Sequence, residues 1–598
     1  MRRKTSGRSK NLSILLKYNM TDKIWRLLSS RENAEKISYE TGISTIKAQL
    51  LVNRGIVSPD DINAFLSPKL SGLIDPMLLK DMEEGAGLIM SAIEKQQKIA
   101  IFGDYDADGL TSTALLVNFF SELGIPVIYY IPDRIGEGYS LNIQAIDRLA
   151  EQKVKLIITV DCGVSNQKEI EHALSLGIDV VVTDHHQIPD KFSPVCPVIN
   201  PNRADSKFPF KDLAGVGVAF FLAAGIRLCI RKKGWFRLAA EPDLKQYLDI
   251  VALGTIADMV PLTGQNRIMV MAGIEVLKNS RWLGIEAMKK ICGLGNQFIT
   301  SGDIAFKMAP RLNAAGRIGD NKTGITALVT ENYSEAINTA RELNNMNSER
   351  QRIESNIIED IESNLIPGID LANRKILLVA KKDWHKGVLG IVASKLLERY
   401  HRPTIVLTIR DSIATGSGRS IDGFNLHESM TRLKHLFKKF GGHYHAAGCT
   451  LERDNIESLS RGLEDIARSV LRDEDLIPSI TVDDDLKLSE LTIDAVNDIR
   501  SLEPFGSGNP EPVYYSGDLA VIDSWVVGEN HLKLRVRQGE SIHEAIGFNL
   551  AGLQPVQGSM INMVYTPEIN TWNGSEKVQL RILDLEPKGE LSRLRTYN

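Results

Sequence analysis

The stretch GDYDADG, at residues 103–109, places three aspartates at alternate positions. Like charges this close repel one another, so a cation must offset Asp104, Asp106 and Asp108 if they stay ionised in a folded chain. The pattern matches the first half of a calcium EF-hand loop, but Leu115 stands where that loop needs its final glutamate. A predicted strand also precedes the stretch, where an EF-hand has a helix. An EF-hand is therefore excluded, and an isolated D-x-D pattern favours a solvated acidic turn.

Acidic and histidine residues also follow two other short apolar runs, which argues against a solvated turn. TVDCG places Asp161 just past VKLIITV, and TDHH places Asp184, His185 and His186 just past IDVVVT. Because the carboxyl ends of parallel strands meet at one edge of a sheet, we expect these clusters to converge on one crevice. Asp258 ends the apolar helix predicted in DIVALGTIADMV, where a buried carboxylate needs a partner.

The residue types indicate which cation these groups would hold. Carboxylates with one or two imidazoles and no cysteine suit Mn²⁺ or Mg²⁺ better than a thiolate zinc site. Several bridging carboxylates predict two ions, about 3.5–4 Å apart, as in many sites that cleave phosphoesters. Such a pair lowers the pKa of a bridging water and polarises the phosphoryl oxygen.

Short β-rich runs that alternate with helices must position these residues. The runs KIAIFG, PVIYYIP, VKLIITV and IDVVVT are separated by predicted helices at 111–123, 141–151 and 167–176. Continuous apolar strands in this arrangement indicate a parallel sheet that is covered on both faces.

The 598 residues predict an α/β multidomain protein, at roughly 150 residues per domain. We expect a parallel-sheet catalytic domain and a smaller α/β domain joined by a long helix, followed by an all-β domain of the OB type. The alternation in HLKLRVR and the Asn573-Gly574 hairpin signal indicate the last of these. The predicted segments are an N-terminal helical region at 1–75, the catalytic domain at 76–331, the connector helix at 332–366, the second α/β domain at 367–473 and the β domain at 474–598.

Composition sets the broad class of the protein. A net charge of -4 with 24% charged residues argues against a uniformly basic surface, although metal-binding carboxylates would mask basic patches in the total. The five cysteines form no C-x-x-C pair, which indicates a reducing compartment. No apolar run reaches the roughly 18 residues of a membrane span, and no signal-peptide core follows the basic start, so we expect a cytoplasmic protein.

Four motifs occur in the order DYDADG, VDCG, DHH and TIAD. In this order they resemble the DHH phosphoesterase superfamily. With PRLNAAGR at 310–317, WHKGVLGIVASKL at 384–396, SGRS at 417–420 and GGHYHAAG at 441–448, the chain resembles the bacterial single-stranded-DNA exonucleases of that superfamily. The resemblance runs from about residue 80 to the C-terminus, and the motifs are specific only in combination.

This resemblance implies a set of catalytic residues. His186 would orient a ligand or contact the scissile phosphate. Two roles are possible for Asp104: it could bind a weaker metal position, or it could support the ligands without binding metal. Related phosphatases place a histidine upstream of the paired aspartates, and its absence here leaves both roles possible. The metal ligands that the resemblance implies are Asp106, Asp108, Asp161, His185 and Asp258.

Two further motifs supply candidates for holding DNA. The guanidinium of arginine suits phosphates, so Arg311, together with Asn313 of the same motif, is a candidate for contact with the scissile or adjacent phosphate. Arg317 has two possible roles, a DNA contact or a structural salt bridge. SGRS and GGHYHAAG resemble the substrate-binding DHHA1 domain, whose glycines let a backbone approach a phosphate closely. The side chains that would grip the 5′-terminal nucleotide there are His385, Ser417, Arg419 and His443.

Basic surfaces elsewhere in the sequence are further candidates for contact with DNA, and the first lies beside GGHYHAAG. The run at 426–442 predicts an amphipathic helix with Phe437 and Phe440 packed inward and a basic face open to solvent or to a DNA backbone. The β domain predicts a basic face that could track single-stranded DNA, made of Lys533, Arg535 and Arg537.

These features predict a metal-dependent hydrolase of phosphodiesters in single-stranded DNA. The resemblance implies 5′-to-3′ exonuclease action that releases mononucleotides in recombination and repair, with a single-strand-binding protein and a helicase as partners. One alternative is a phosphodiesterase of cyclic dinucleotides or very short oligonucleotides, although the basic patches and the β domain favour longer polymers. Another is a non-catalytic replication scaffold, whose metal motifs would be eroded; here they are complete.

Overall fold

The computed structural model of the chain describes residues 23–28, 31–133, 136–138, 140–295, 298–572, 574–589 and 593–597. These residues divide into two units. The first unit consists of 60–352 with 502–510, and the second of 353–501, 511–598 and the described residues among 1–59. The five-segment division expected from the sequence stays a prediction.

The strands are, in chain order, β1 (Ile24–Leu28), β2 (Ile99–Phe102), β3 (Val127–Tyr130), β4 (Leu156–Val160), β5 (Asp179–Thr183), β6 (Val198–Ile199), β7 (Leu377–Lys382), β8 (Thr404–Arg410), β9 (Ile413–Arg419), β10 (Phe437–Gly442), β11 (Ala446–Glu452), β12 (Ser479–Val482), β13 (Asp484–Asp485), β14 (Tyr514–Val527), β15 (His531–Gln538), β16 (Ser541–Gly547), β17 (Met560–Trp572), β18 (Ser575–Pro587) and β19 (Leu594–Tyr597).

The α-helices are α1 (Arg31–Thr41), α2 (Thr45–Asn53), α3 (Pro59–Leu66), α4 (Met82–Glu94), α5 (Ala107–Glu122), α6 (Ile143–Glu151), α7 (Gln167–Ser175), α8 (Gly215–Lys232), α9 (Leu248–Ala257), α10 (Gly264–Leu277), α11 (Leu283–Ile291), α12 (Ser301–Asp303), α13 (Ala309–Ile318), α14 (Asn321–Val329), α15 (Tyr333–Asp360), α16 (Leu389–Tyr400), α17 (Leu426–Arg432), α18 (Ile456–Val470) and α19 (Ile493–Arg500). A π-helical stretch, Ile304–Met308, leads into α13. Among the described residues, every helix is too short or too polar to cross a bilayer.

The sheet of the first unit is parallel throughout, in the order β3-β2-β4-β5-β6. Along β2, Ile99 and Ile101 pack into one apolar cluster and Ala100 and Phe102 into another, on the opposite face. Burial on both faces explains why β2, β4 and β5 are continuous apolar runs rather than alternating ones. The predicted parallel sheet is confirmed, and the carboxyl ends of β2, β4 and β5 lie side by side at one edge.

The second unit contains a mixed sheet and a β barrel. The mixed sheet has the order β10-β11-β9-β8-β7, in which β7 and β8 are parallel. The barrel is formed by β13 to β18 and closes through the pairing of β14 with β17, as expected of an OB-like domain. Trp572 pairs with Ser575 across the predicted hairpin, where Asn573 lies outside the described residues. The predicted long helix is α15, with 28 residues. The predicted fold class is confirmed.

The amphipathic helix predicted over 426–442 is wrong beyond its first two turns. Helix α17 ends at Arg432, and the segment from Phe437 onward forms β10, which pairs antiparallel with β11. Phe437 and Phe440 still pack, half-buried, against the apolar core of this sheet, so their inward orientation was predicted correctly although the helical period was not. Two glycines at the end of the run disfavour a helix, and pairing with β11 stabilises a strand instead.

The N-terminal region predicted as helical also contains strand β1. This strand pairs in parallel with β12 and β19, both of which are distant from it in sequence. Trp25 of β1 is fully buried, and its indole Nε1 donates a hydrogen bond to Asp584 Oδ2 at 3.1 Å. The local sequence pattern could not reveal this strand, because its stabilising partners are distant in sequence.

Candidate metal centre

The loop that follows β2 carries the three aspartates of the first motif. Asp104 and Asp106 lie between the end of β2 and the start of α5, and Asp108 lies in the first turn of α5. Asp106 caps this helix, because its Oδ1 accepts hydrogen bonds from the N–H groups of Asp108 at 3.1 Å and Gly109 at 3.0 Å. Gly109 permits the tight loop, since a Cβ there would lie 2.5 Å from the carbonyl oxygen of Asp104.

The other candidate ligands also follow directly on regular elements. Asp161 comes after the last residue of β4, His185 and His186 come two and three residues after β5, and Asp258 comes after the last residue of α9. Asp161 adopts a left-handed backbone conformation, with φ of 58°. Outside glycine such a conformation is uncommon, and aspartate and asparagine adopt it more readily than most residues.

His185 lies at the centre of the cluster. Its Nε2 lies 3.2 Å from Asp161 Oδ1, 3.6 Å from Asp258 Oδ2 and 3.9 Å from Asp108 Oδ2. Ligands about 2.1 Å from one ion and at right angles to one another are about 3 Å apart, so these separations suit shared coordination.

The candidate ligand atoms form three overlapping groups. Asp161 and His185 each belong to two groups; the carboxylate of Asp161 could bridge neighbouring metal positions, whereas the single lone pair of neutral His185 would bind one ion. The ligand atoms of each group lie within 4.8 Å of one another; the groups are Asp104 with Asp106 and Asp161, Asp108 with His185 and Asp258, and Asp161 with His185 and His186.

Burial and mutual repulsion strongly disfavour the ionised carboxylates. Burial, followed by the nearby charge of Asp106, raises the pKa of Asp108 to about 7. Burial and the charges of Asp108 and Asp106 raise the pKa of Asp258 to about 9, and the same causes raise the pKa of Asp161 well above its usual value. Nearby divalent cations would reverse this effect by favouring the ionised form of each group.

The two histidines have opposite electrostatic environments. Burial and the neighbouring His186 lower the pKa of His185 to about 4, so this imidazole is neutral and can offer a lone pair to a metal. Burial also opposes the charged form of His186, but its hydrogen bond with Asp184 outweighs burial and raises the pKa of His186 to about 9. His186 is therefore suited to donating a proton or a hydrogen bond.

The geometry of Asp161 also indicates a cation site. Asp161 Oδ1 is buried and accepts no hydrogen bond from any described residue. Buried carboxylate oxygens are normally paired, so an oxygen in this state, beside the neutral imidazole of His185, is suited to a metal ion.

Two groups that support the ligands had no clear signal in the sequence. Asp108 accepts hydrogen bonds from the backbone N–H groups of Gly215, at 2.6 Å to Oδ2, and Val216, at 2.9 Å to Oδ1. These N–H groups begin α8, whose preceding residue, Ala214, provides no side-chain cap. Asp108 is distant in sequence from α8, and its carboxylate acts as the N-terminal cap of that helix.

The three candidates in PRLNAAGR lie on α13, which packs against the aspartate loop. Asn313 Oδ1 accepts a hydrogen bond from the backbone N–H of Ala107 at 2.9 Å, so it supports the loop directly. The guanidinium of Arg311 donates to Asn344 Oδ1 at 3.0 and 3.2 Å. Arg317 is half-buried in the last turn of α13. Their phosphate contacts stay predictions.

The four candidates in the second unit lie around β9 and the N-terminal end of α16. Arg419 Nη1 donates to Ser417 Oγ at 3.1 Å, and both side chains lie beside Gly390, in the first turn of α16. His385 Nδ1 accepts a hydrogen bond from the backbone N–H of Gly387 at 3.2 Å. His443 is exposed in the turn between β10 and β11. The structure therefore brings Ser417 and Arg419 together at a helix N-terminus, which favours anions.

The predicted basic face of the β domain is partly neutralised. Leu532, Leu534 and Val536 are buried, as the alternation predicted. On the other face, Lys533 forms an ion pair with Glu544 at 3.0 Å, and Arg535 forms one with Asp523 at 2.7 Å. The carboxylates weaken the expected attraction for a DNA backbone at these two positions.

Comparison with known proteins identifies the family. Family models match the chain in three places: the DHH family N-terminal domain at 98–255, the DHHA1 domain at 373–469 and the RecJ OB domain at 482–584. The single-stranded-DNA-specific exonuclease RecJ of Bacillus subtilis (strain 168) is 38% identical over 561 residues, which cover 93% of this chain and 69% of the relative. The chain belongs to the RecJ family. The RecJ of Escherichia coli (strain K12) is 35% identical, over 94% of this chain and 99% of its own.

Solved RecJ structures have the same fold. RecJ from Thermus thermophilus in complex with Mn²⁺ matches with a TM-score of 0.81 at 28% identity, over 94% of this chain and 80% of the other. The Mg²⁺ complex from the same organism matches with a TM-score of 0.74 at 26% identity, over 95% of this chain and 79% of the other. The resemblance to the bacterial single-stranded-DNA exonucleases of the DHH superfamily is confirmed.

Asp184, the first residue of the DHH motif, holds both histidines in place although it is not a candidate ligand. Its Oδ1 accepts hydrogen bonds from the N–H groups of His185 at 2.8 Å and His186 at 3.0 Å, and lies 2.7 Å from His186 Nδ1. Its Oδ2 accepts from the N–H of Val164 at 2.9 Å. The motif TDHH contained the signal for this role, but the roles of its three members could be separated only by geometry.

We expect Asp184→Asn to weaken metal binding about 10–100-fold, as is typical when a group that orients ligands is altered. The amide nitrogen cannot accept the hydrogen bonds that the carboxylate now accepts. The measurement is the Mn²⁺ concentration that gives half-maximal hydrolysis, with Asp179→Asn, at the exposed start of the same strand, as the matched control. An unchanged Mn²⁺ requirement in Asp184→Asn would contradict the role assigned to Asp184.

Proposed function

We propose that this chain is a metal-dependent exonuclease that hydrolyses single-stranded DNA from 5′ to 3′ and releases mononucleotides in recombination and repair. The observation that carries the proposal is the convergence of Asp108, Asp161, His185 and Asp258 at one edge of a parallel sheet, in a chain of the RecJ family. The curated relatives are named single-stranded-DNA-specific exonucleases, which supports the substrate.

The cofactor is Mn²⁺ or Mg²⁺, with two ions in the complete site. The solved relatives in complex with Mn²⁺ and with Mg²⁺ support this assignment, as does the oxygen-rich donor set. When bound, such ions supply an activated water and neutralise the charge that develops on the phosphoryl group. The residues that would hold them are Asp104, Asp106, Asp108, Asp161, His185 and Asp258.

The side chains of the site then have distinct roles. Neutral His185 offers its Nε2 lone pair within the ligand cluster, while Asp184 fixes the orientation of the DHH segment. His186, whose pKa is raised to about 9 by Asp184 in spite of its burial, donates a hydrogen bond to an oxygen of the scissile phosphate.

Two sets of residues hold the DNA strand in this proposal. Arg311, Asn313 and Arg317 contact the scissile and adjacent phosphates from α13. The pair Ser417 and Arg419 provides the anion site for the 5′-terminal nucleotide, and His385 and His443 complete that set.

The small-substrate alternative is not favoured. A phosphodiesterase of cyclic dinucleotides or very short oligonucleotides does not need the C-terminal domain, whereas this chain matches the RecJ OB domain over 482–584. OB folds bind single-stranded nucleic acid along a groove, so this domain suits a polymer. A single-strand-binding protein and a helicase are the partners proposed for delivering substrate, and the proposed location is the cytoplasm.

Strand polarity provides the test of this function. A block at the 5′ end of a long single strand is expected to protect it, whereas the same block at the 3′ end should leave the initial rate unchanged. The measurement is release of acid-soluble label from uniformly labelled strands in Mn²⁺, with the unblocked strand as control. Protection by the 3′ block alone would contradict the proposed direction, and faster cleavage of a dinucleotide than of the long strand would favour the small-substrate alternative.

A further inference from the structure

Gly215, the first residue of α8, lies between two candidate metal ligands. Its backbone N–H donates a hydrogen bond to Asp108 Oδ2 at 2.6 Å. On its other side there is no room for a side chain, because a Cβ at this position would lie 2.7 Å from both Cβ and Oδ1 of Asp161 and 2.8 Å from Cγ. One residue without a side chain thus contacts both carboxylates.

This close approach cannot be relieved by a simple rotation of the Asp161 side chain. One of the crowded atoms is Asp161 Cβ, which is attached directly to the backbone and does not move when the carboxylate rotates. Asp161 is also buried and already holds a left-handed backbone conformation, with φ of 58°. Because protein interiors are densely packed, a side chain at 215 would have to displace either the Asp161 backbone or the start of α8.

Other glycines show that this is not a general property of α8. A Cβ at Gly217, two residues further along the same helix, would meet Leu213 Cδ2 and Met269 Cε at 3.4 Å, which is ordinary van der Waals contact. Gly225 faces the flexible side chain of Met82. Among these positions, only at Gly215 is a candidate metal ligand the crowded neighbour.

We propose that Gly215 is a positioning residue that sets the separation and orientation of the Asp108 and Asp161 carboxylates for metal binding. Its N–H holds Asp108 at the start of α8, and its missing side chain leaves Asp161 Oδ1 in the buried position where it accepts no hydrogen bond from a described residue. This inference rests on the metal centre of the proposed function.

The first test compares Mn²⁺ binding by metal-free wild type, Gly215→Ala and Gly217→Ala, measured by the electron paramagnetic resonance signal of free Mn²⁺. We expect Gly215→Ala to bind Mn²⁺ at least about tenfold more weakly and Gly217→Ala to bind as wild type does. Binding of single-stranded DNA in EDTA should be unchanged in both variants, which a general loss of structure would not allow. Wild-type Mn²⁺ affinity in folded Gly215→Ala would overturn the inference, whereas failure of the wild type itself to bind Mn²⁺ would overturn the proposed function.

The second test uses a background that lacks the crowded side chain, so it stays informative where Gly215→Ala lowers the stability of the protein. Asp161→Gly removes the crowded side chain and suits the left-handed backbone at that position. The fall in melting temperature caused by Gly215→Ala in metal-free protein should therefore be much smaller in the Asp161→Gly background than in wild type. Equal falls in the two backgrounds would show that the crowding lies elsewhere and would overturn the inference.

Discussion

Asp161→Asn is expected to lower the rate of DNA hydrolysis by more than about 10³-fold while the protein stays folded and still binds single-stranded DNA. Asp161 belongs to two of the three ligand groups, so its loss should disturb both metal positions. Asparagine has nearly the same shape and tolerates the left-handed backbone with φ of 58°, which makes the effect one of charge rather than of packing. The loss of activity is measured as the rate of hydrolysis in saturating Mn²⁺, and the retained DNA affinity is measured in EDTA.

The same substitution should not destabilise the metal-free protein. Burial and the charges of the neighbouring aspartates already raise the pKa of Asp161, so replacing this carboxyl group by a neutral amide removes repulsion. Asp147→Asn, at a surface carboxylate paired with His172, is the control that should retain activity. Substantial residual hydrolysis by Asp161→Asn would mean that the metal centre has been assigned to the wrong residues.

Arg419→Ala is expected to raise the half-saturating concentration of single-stranded DNA about 10–100-fold, with Mn²⁺ affinity unchanged. Hydrogen bonds to charged groups contribute about 1.5–3 kcal/mol, and the guanidinium lies beside Ser417 at the N-terminal end of α16, where a phosphate is favoured. Loss of one phosphate contact should also lower the slope of log affinity against log salt concentration by about 0.7. Steady-state kinetics at several salt concentrations give both quantities.

Arg461→Ala is the matched control for this prediction. Arg461 lies on α18 of the same unit and is exposed, with Glu457 one helical turn away as its ion-pair partner. Exposed pairs of this kind contribute little, so neither DNA affinity nor its salt dependence should change. Equal effects of Arg419→Ala and Arg461→Ala would contradict a specific phosphate contact at Arg419.

The sequence could predict that the candidate ligands lie close together, because their positions follow from the strand topology. Once β2, β4 and β5 were identified as parallel strands, Asp108, Asp161 and His185 had to lie near one edge of the sheet. Asp258 was predictable for a different reason, since a carboxylate at the end of an apolar helix needs a partner. The assignment of each residue to a ligand role stays a prediction that the substitutions above test.

What could not be predicted depends on backbone geometry and on distant partners. The hydrogen bonds from Gly215 and Val216 to Asp108 involve only backbone donors, which leave no side-chain pattern in the sequence. Strand β10 stands where a helix was predicted, because pairing with β11 stabilises the strand and this pairing leaves no signal in the local periodicity. The ion pairs of Lys533 and Arg535 likewise depend on which carboxylates lie on the neighbouring strands.

The most direct test of the central claim is cleavage of end-labelled single-stranded and duplex DNA by the purified protein in EDTA, Mg²⁺ or Mn²⁺. The account predicts metal-dependent loss of nucleotides from the 5′ end of the single strand, with no cleavage in EDTA and little cleavage of the duplex. Cleavage that persists in EDTA, or an intact long strand in Mn²⁺ alongside hydrolysis of a dinucleotide, would contradict it.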